Sequence, residues 1–210
     1  MDTDNKKGTT TLGLVCKDGV VVATEHRATM GTMIAHKTAK KVYRIDDHLA
    51  MTTAGLVGDA QMLARYLKVE TDLYSLQRGS KIPVKGAATL MSNILNQRKF
   101  APFYVQLIIG GVDASGSHVF SIDAAGGSIE DEYTTTGSGS PYVFGVLEDN
   151  YSKDITVDEG VDLSIRALSA AMKRDSASGN GMDIAVITPK AYREISQEEI
   201  EKRKKNLEIS

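Results

Sequence analysis

Two runs rich in β-branched and apolar residues, 9–16 and 20–25, flank Lys17-Asp18-Gly19 and predict a hairpin. More β-rich sequence follows in "KKVYRID" and "LAMTTAG". The period then changes. From about Asp59 to about Gln77, Met62, Tyr66, Val69 and Leu73 recur at helical spacing and define one apolar face. Val84, Ala87, Met91 and Ile94 mark a second helix. "VQLIIGGVD" and "SHVFSIDAA" predict a second hairpin, and "SIEDEYTT" a further strand. Helical spacing returns after Gly139. Thr156 and Glu159 fit a capping box, with Val157, Val161, Ile165, Leu168 and Met172 repeating behind it. A strand, "MDIAVIT", and a charged helix headed by Ser196 and Glu199 come last.

The order is strands, two helices, strands, two helices, strand. That is not the strict alternation of a parallel doubly wound sheet. Hairpins dominate, so the sheets are predicted to be mainly antiparallel. The expected class is α+β, with two sheets packed face to face and helices covering the outside. No linker, low-complexity tract or repeat divides the chain, so residues 9–210 are expected to form one domain behind a short leader, residues 1–8.

Composition narrows the picture. The chain has 210 residues, 41% of them hydrophobic and 25% charged, with a net charge of -2. A substantial core is affordable, and no basic excess points to nucleic acid. No apolar run is long enough to span a bilayer, so no membrane partner is expected. The leader has no apolar centre of the kind a secretory signal carries. A single cysteine, Cys16, excludes an internal disulfide and makes a reducing, cytoplasmic setting the expectation. Cys16 alternates into a strand and reads as a small buried hydrophobe rather than a nucleophile.

Several chemistries are absent. There is no Gly-Lys dipeptide and hence no Walker-type phosphate loop, no His-Glu-x-x-His, no cysteine pair and no Gly-x-Ser-x-Gly elbow. No metal or cofactor is expected. His26, His36, His48 and His118 show no ligand spacing. "GSGSP" precedes a helix and reads equally as a tight strand-to-helix turn or as a substrate-side element.

What stands out is Gly8 followed by Thr9, Thr10 and Thr11. Threonine opens strands because it is β-branched, which is one explanation. The other is that the leader is removed after Gly8 and Thr9 becomes an N-terminus. A threonine hydroxyl needs a base, and an N-terminal threonine carries one in its own α-amino group. That amine has an ordinary pKa of about 7.7–8.0, and a nearby cation lowers it. Gly8 would permit the strained backbone that self-cleavage needs. With a three-residue loop at 17–19, Thr11 pairs with Glu25 and Thr9 with Arg27, so that all four share a face. A two-residue loop turns Glu25 to the other face.

Taken in order, "GTTTLG", "ATEHRATMG", "KTAKKVYRID", "TTAGLVGDAQ", "SIDAAGG", "TGSGSPYVFGVLE" and "RDSASG" resemble the β subunits of the archaeal 20S proteasome, from Gly8 to about Thr188. The resemblance implies the N-terminal nucleophile hydrolase fold, a four-layer αββα sandwich. It implies a threonine endopeptidase without cofactor, with Gly8–Thr9 as the autocatalytic cleavage site and Thr9 as nucleophile. Lys41 corresponds to the lysine beside the threonine hydroxyl, and Glu25 to its acidic partner. Many members carry aspartate at the Glu25 position. Ser138, Asp175 and Ser178 correspond to the polar set that orients the new amine. The backbone N–H of Gly55 corresponds to the oxyanion donor. Thr29 corresponds to the residue that pairs with substrate in extended form. Ala28, Ala39, Thr53 and Val57 correspond to the pocket for the residue before the cut, and imply a chymotrypsin-like preference for apolar residues.

The implied partners are other β subunits in a seven-membered ring, outer rings of α subunits, a regulatory ATPase ring acting through them, and unfolded polypeptide substrates. Two other readings stay open: an inactive structural ring subunit, and an amidase of the same fold acting on small molecules.

Overall fold

The computed structural model describes residues 8–209. Most of the expected leader, residues 1–7, lies outside the described residues. The chain opens with β1 (Thr10–Cys16), β2 (Gly19–Glu25), a short hairpin of β3 (Ala28–Met30) and β4 (Met33–His36), then β5 (Val42–Asp46) and β6 (Leu49–Gly55). Helices α1 (Val57–Arg78) and α2 (Val84–Gln97) follow, then β7 (Val105–Asp113), β8 (Gly116–Ile122), β9 (Ser128–Glu130) and β10 (Tyr133–Gly137). Helices α3 (Ser140–Asn150) and α4 (Val157–Arg174), strands β11 (Met182–Ile187) and β12 (Tyr192–Glu194), and helix α5 (Gln197–Asn206) complete it.

One sheet has the order β10-β1-β2-β11-β12 and the other β5-β6-β7-β8-β9, both antiparallel throughout. Strand β2 explains the layering. Val21 and Ala23 pack with Val161, Ile165 and Leu168 of α4, while Val20 and Val22 pack with Ile108 and Val119 of the other sheet. The outer face of the second sheet is covered by Leu63 and Leu67 of α1 and Ala87 and Met91 of α2. The result is the expected αββα sandwich. The sheets meet closely because Gly13 and Gly110 lie between them. A Cβ on Gly110 would sit 2.9 Å from Val22 Cγ1.

The predicted helix starts hold. Thr156 and Glu159 form the reciprocal capping box of α4, and the Ser196 hydroxyl accepts the Glu199 N–H at the start of α5. Three expectations fail. The β1–β2 loop has two residues, so Cys16 faces Gly19 and Thr11 faces Thr24. Gly19 misled the reading because it is a packing glycine, not a turn residue: a Cβ there would meet Ile187 O at 2.3 Å. The turn is anchored instead by Asp18, whose Oδ1 accepts the Val157 N–H at 2.8 Å.

The face predicted to bury α1 is the exposed one. Met62, Tyr66, Val69 and Leu73 face outward, whereas Ala60, Leu63, Ala64, Leu67 and Thr71 are buried. Both faces of α1 are apolar, and alanine and threonine made the true one quieter. Finally, "SIEDEYTT" is not one strand. It divides into β9 and β10, which belong to different sheets. Strands β3, β4 and β12 were not anticipated, each being only three or four residues long.

Candidate active site

Five chain segments meet at one end of the two sheets, one of them the β10–α3 link that carries Ser138. Thr9 directly precedes β1, Glu25 ends β2, and Lys41 directly precedes β5. The segment between α4 and β11 brings Asp175, as the residue capping α4, and Ser178. All three residues around the first threonine are withdrawn from solvent: Thr9 is 3% exposed, Glu25 0% and Lys41 8%.

Around the Thr9 hydroxyl the chemistry is ionic. Thr9 Oγ1 donates to Glu25 Oε1 at 2.8 Å. The Lys41 ammonium donates to Thr9 Oγ1, to Glu25 Oε1, and to the Arg27 carbonyl at 2.5 Å, so its three N–H groups meet three acceptors. Burial lowers the Lys41 pKa from its ordinary value, opposed by the neighbouring Glu25 carboxylate. The other Glu25 oxygen accepts the backbone N–H groups of Arg27 at 2.6 Å and Gly179 at 2.9 Å. This carboxylate reaches Thr9 despite the two-residue turn, which corrects the expectation that only the other register would allow it. Both residues lie past the last β1–β2 pair, Thr11 with Thr24, although Glu25 still pairs with Met182 of β11, and the Glu25 carboxylate also accepts the Thr10 N–H at 3.2 Å.

Around the Thr9 nitrogen the direct contact is a hydroxyl, backed by a carboxylate one step away. The Thr9 N–H donates to Ser138 Oγ at 3.2 Å. Ser138 and Ser178 both donate to Asp175 Oδ2 at 2.6 Å. The Ser178 hydroxyl is thereby committed, and it accepts from Thr10 Oγ1, also at 2.6 Å. Thr11 is not part of the site. Its hydroxyl bonds Thr136 of β10 at 2.7 Å, on the opposite face from Thr10. The three threonines thus serve three different neighbourhoods.

Gly8 fills a tight space. A Cβ on it would lie 2.0 Å from Ala177 Cβ and 2.6 Å from Ser138 Oγ, so nothing larger than glycine fits before Thr9. Its N–H donates to Thr29 Oγ1 at 3.2 Å.

A cleft of about 550 Å³ opens beside Thr9, lined by every residue expected to bind substrate: Ala28, Thr29, Ala39, Thr53 and Val57, with Lys41 and Gly55. Gly55 ends β6 with φ at 124°, where its missing Cβ avoids the Tyr104 carbonyl. Sequence reading missed Tyr43 and Gln61 in the same wall. Tyr43 was legible, because it stands two residues after Lys41 and strand alternation puts both on one side. The histidines take other places. His26 pairs with Asp183 at 2.8 Å, buried His48 bonds the Ile82 carbonyl at 2.8 Å, and His118 pairs with Glu130 at 2.6 Å, while His36 lines the cleft rim. Among the described residues, no helix is long and apolar enough to cross a membrane.

A sequence model of the family described as "Proteasome subunit" matches residues 5–187. The chain belongs to the proteasome subunit family. Members called "Proteasome subunit beta" are similar over almost all of it. That of Ferroglobus placidus is 61% identical over 196 residues, covering 93% of each chain. That of Methanosphaerula palustris is 57% identical and that of Thermoplasma acidophilum 58%, each over 201 residues and 95% of both chains. In this family the chain is of the β type, and its two antiparallel sheets between helices fit the N-terminal nucleophile hydrolase fold.

Proposed function

We propose that the chain is a proteolytic subunit of the proteasome core, a threonine endopeptidase whose nucleophile is Thr9 after removal of residues 1–8. The observation that carries this is the Thr9 hydroxyl, held between the Glu25 carboxylate and the Lys41 ammonium inside a cleft.

In the uncleaved chain, Thr9 Oγ1 adds to the Gly8 carbonyl carbon while its proton leaves toward Glu25. The C–N bond breaks as the nitrogen takes a proton, leaving an ester between Gly8 and Thr9. Water cleaves the ester to a Gly8 carboxylate and a free Thr9 amine. The amine then serves as the base for the hydroxyl. Lys41 stays cationic in this scheme, which lowers the amine's proton affinity and stabilises negative charge on Thr9 Oγ1. Ser138, held by Asp175 and seconded by Ser178, orients the amine. A substrate lies along Thr29 in extended form, with the side chain before the cut among Ala28, Ala39, Thr53 and Val57 and its carbonyl oxygen toward the Gly55 N–H. This lining supports cleavage after apolar residues.

The wider setting follows the family. The β ring is seven-membered, stacked on a second β ring between α rings, fed with unfolded polypeptides by an ATPase ring, in the cytoplasm. Intact mass of the chain after co-assembly with α subunits tests the reading. The expected result is a loss matching residues 1–8. A full-length mass in complete particles would overturn it and favour a structural ring subunit. Hydrolysis of small-molecule amides by the chain without α partners would favour the amidase reading.

A further inference from the structure

The Arg27 side chain lies beside this site but touches none of its reacting atoms. Its backbone is committed to the site, with the N–H on Glu25 Oε2 and the carbonyl on Lys41. Its guanidinium turns the other way, toward residues 176–181 between α4 and β11. Nε donates to Asn180 Oδ1 at 2.8 Å and Nη1 to the Ser176 carbonyl at 2.6 Å. Between these two anchors the group packs directly on the Gly179 backbone. A Cβ there would sit 2.4 Å from Nη2 and 2.7 Å from Cζ, so the segment is shaped around the arginine. Asn180 has φ at 68°, a left-handed conformation that non-glycine residues adopt at a cost and that the bond from Nε helps to hold.

This segment supplies what the ionic half of the site lacks. The Gly179 N–H donates to Glu25 Oε2 at 2.9 Å, across 154 positions of sequence. Ser178, one residue earlier, bonds both Thr10 and Asp175. Backbone bonds from the His26 N–H to the carbonyls of Gly179 and Gly181, at 3.2 and 3.0 Å, tie the segment to β2. Asp175 holds the turn from the α4 side, its Oδ1 accepting the Ala177 N–H at 3.2 Å and its carbonyl the Ser178 N–H at 3.1 Å. The guanidinium adds a tie from the β2–β3 link to Ser176 and Asn180.

We infer that Arg27 is a positioning residue: its guanidinium clamps residues 176–180 so that the Gly179 N–H and the Ser178 hydroxyl stay on Glu25 and Asp175, the two carboxylates that flank Thr9. Arginine suits this because its planar fork bonds two acceptors in fixed directions, which lysine cannot do. The inference rests on Thr9 being the nucleophile.

The test uses the full chain in assembled particles with a fluorogenic peptide ending in an apolar residue. Arg27→Gln is expected to lower kcat about tenfold, the scale of one misplaced hydrogen bond to a charged group, with KM within about threefold. Arg27→Lys is expected to recover part of the loss. Asn180→Gly keeps the backbone angle accessible while removing Oδ1, and is expected to lower kcat by less than Arg27→Gln. A kcat within twofold of the parent for Arg27→Gln overturns the inference. So does a loss confined to KM, or full activity in Arg27→Lys, which would show that the fork is not needed. If Arg27→Gln fails to assemble, Asn180→Gly decides, and an unchanged kcat there is also fatal. Thr9→Ala is run alongside. Activity in Thr9→Ala would overturn the peptidase reading itself, whereas an inactive Thr9→Ala beside a fully active Arg27→Gln overturns the clamp alone.

Discussion

The two sides of Thr9 are built in different ways. The hydroxyl side is a buried ion pair, with Lys41 and Glu25 satisfied by each other, by Thr9 and by backbone groups. The nitrogen side is a chain of hydroxyls ending on one carboxylate oxygen, from Thr9 through Ser138 to Asp175. The difference matches what each side has to do. In the proposed scheme the hydroxyl must be polarised both in the uncleaved chain and afterwards, so its partners carry full charge. In that scheme the nitrogen begins as a neutral amide and becomes a basic amine only once Gly8 is cut. Hydroxyls serve both states because each donates and accepts.

This contrast can be broken most severely at its centre. Thr9→Ala should abolish peptidase activity and leave residues 1–8 attached, as read by peptide turnover and intact mass. Lys41→Met attacks the ionic side alone. It should reduce kcat by roughly 10²–10³ and also leave Glu25 buried without its cation, at about 3–5 kcal/mol in stability, measured by denaturant unfolding. The same side should set an alkaline limit. Burial lowers the Lys41 pKa, so the ammonium is lost as pH rises through a value below 10.5, and kcat should fall there. Ser138→Ala attacks the nitrogen side. It removes one hydrogen bond, and the expected loss is about tenfold in kcat. Thr11→Val removes a hydroxyl that serves neither side. It should leave kcat unchanged and cost about 1 kcal/mol in stability through its Thr136 partner. The smallest effect is chemical: the buried Cys16 thiol, pushed up to about 12 by burial, should resist alkylation at pH 8 until the chain unfolds.

Much of this was legible in the sequence, but not by one kind of signal. The layers followed from element order, and α4 was readable to its first turn because its capping box and its apolar repeat agree. Helix α1 was misread because it carries two apolar faces, and the larger side chains, Met62, Tyr66, Val69 and Leu73, happen to lie on the exposed one. The hairpin register was misread because Gly19 answers to a neighbouring strand that sequence spacing cannot reveal. The candidate site residues were named from family resemblance, and the fold gathers every one of them around Thr9 or its cleft. Spacing alone would not have joined Glu25, Lys41 and Asp175, which come from separate elements. Arg27 was placed opposite Thr9 by the assumed register, and its actual side-chain partners escaped because they lie about 150 residues further along the chain.

The crowding at Gly8 has a consequence for anyone redesigning the N-terminus. The pocket formed by Ala177 and Ser138 excludes even a methyl group, and it does so by volume, without reading any side chain. In the proposed scheme, therefore, upstream sequence could be exchanged for a tag or a carrier domain, provided one glycine is kept at the junction. The junction would then act as a built-in, traceless release site, whose only password is the absence of a side chain.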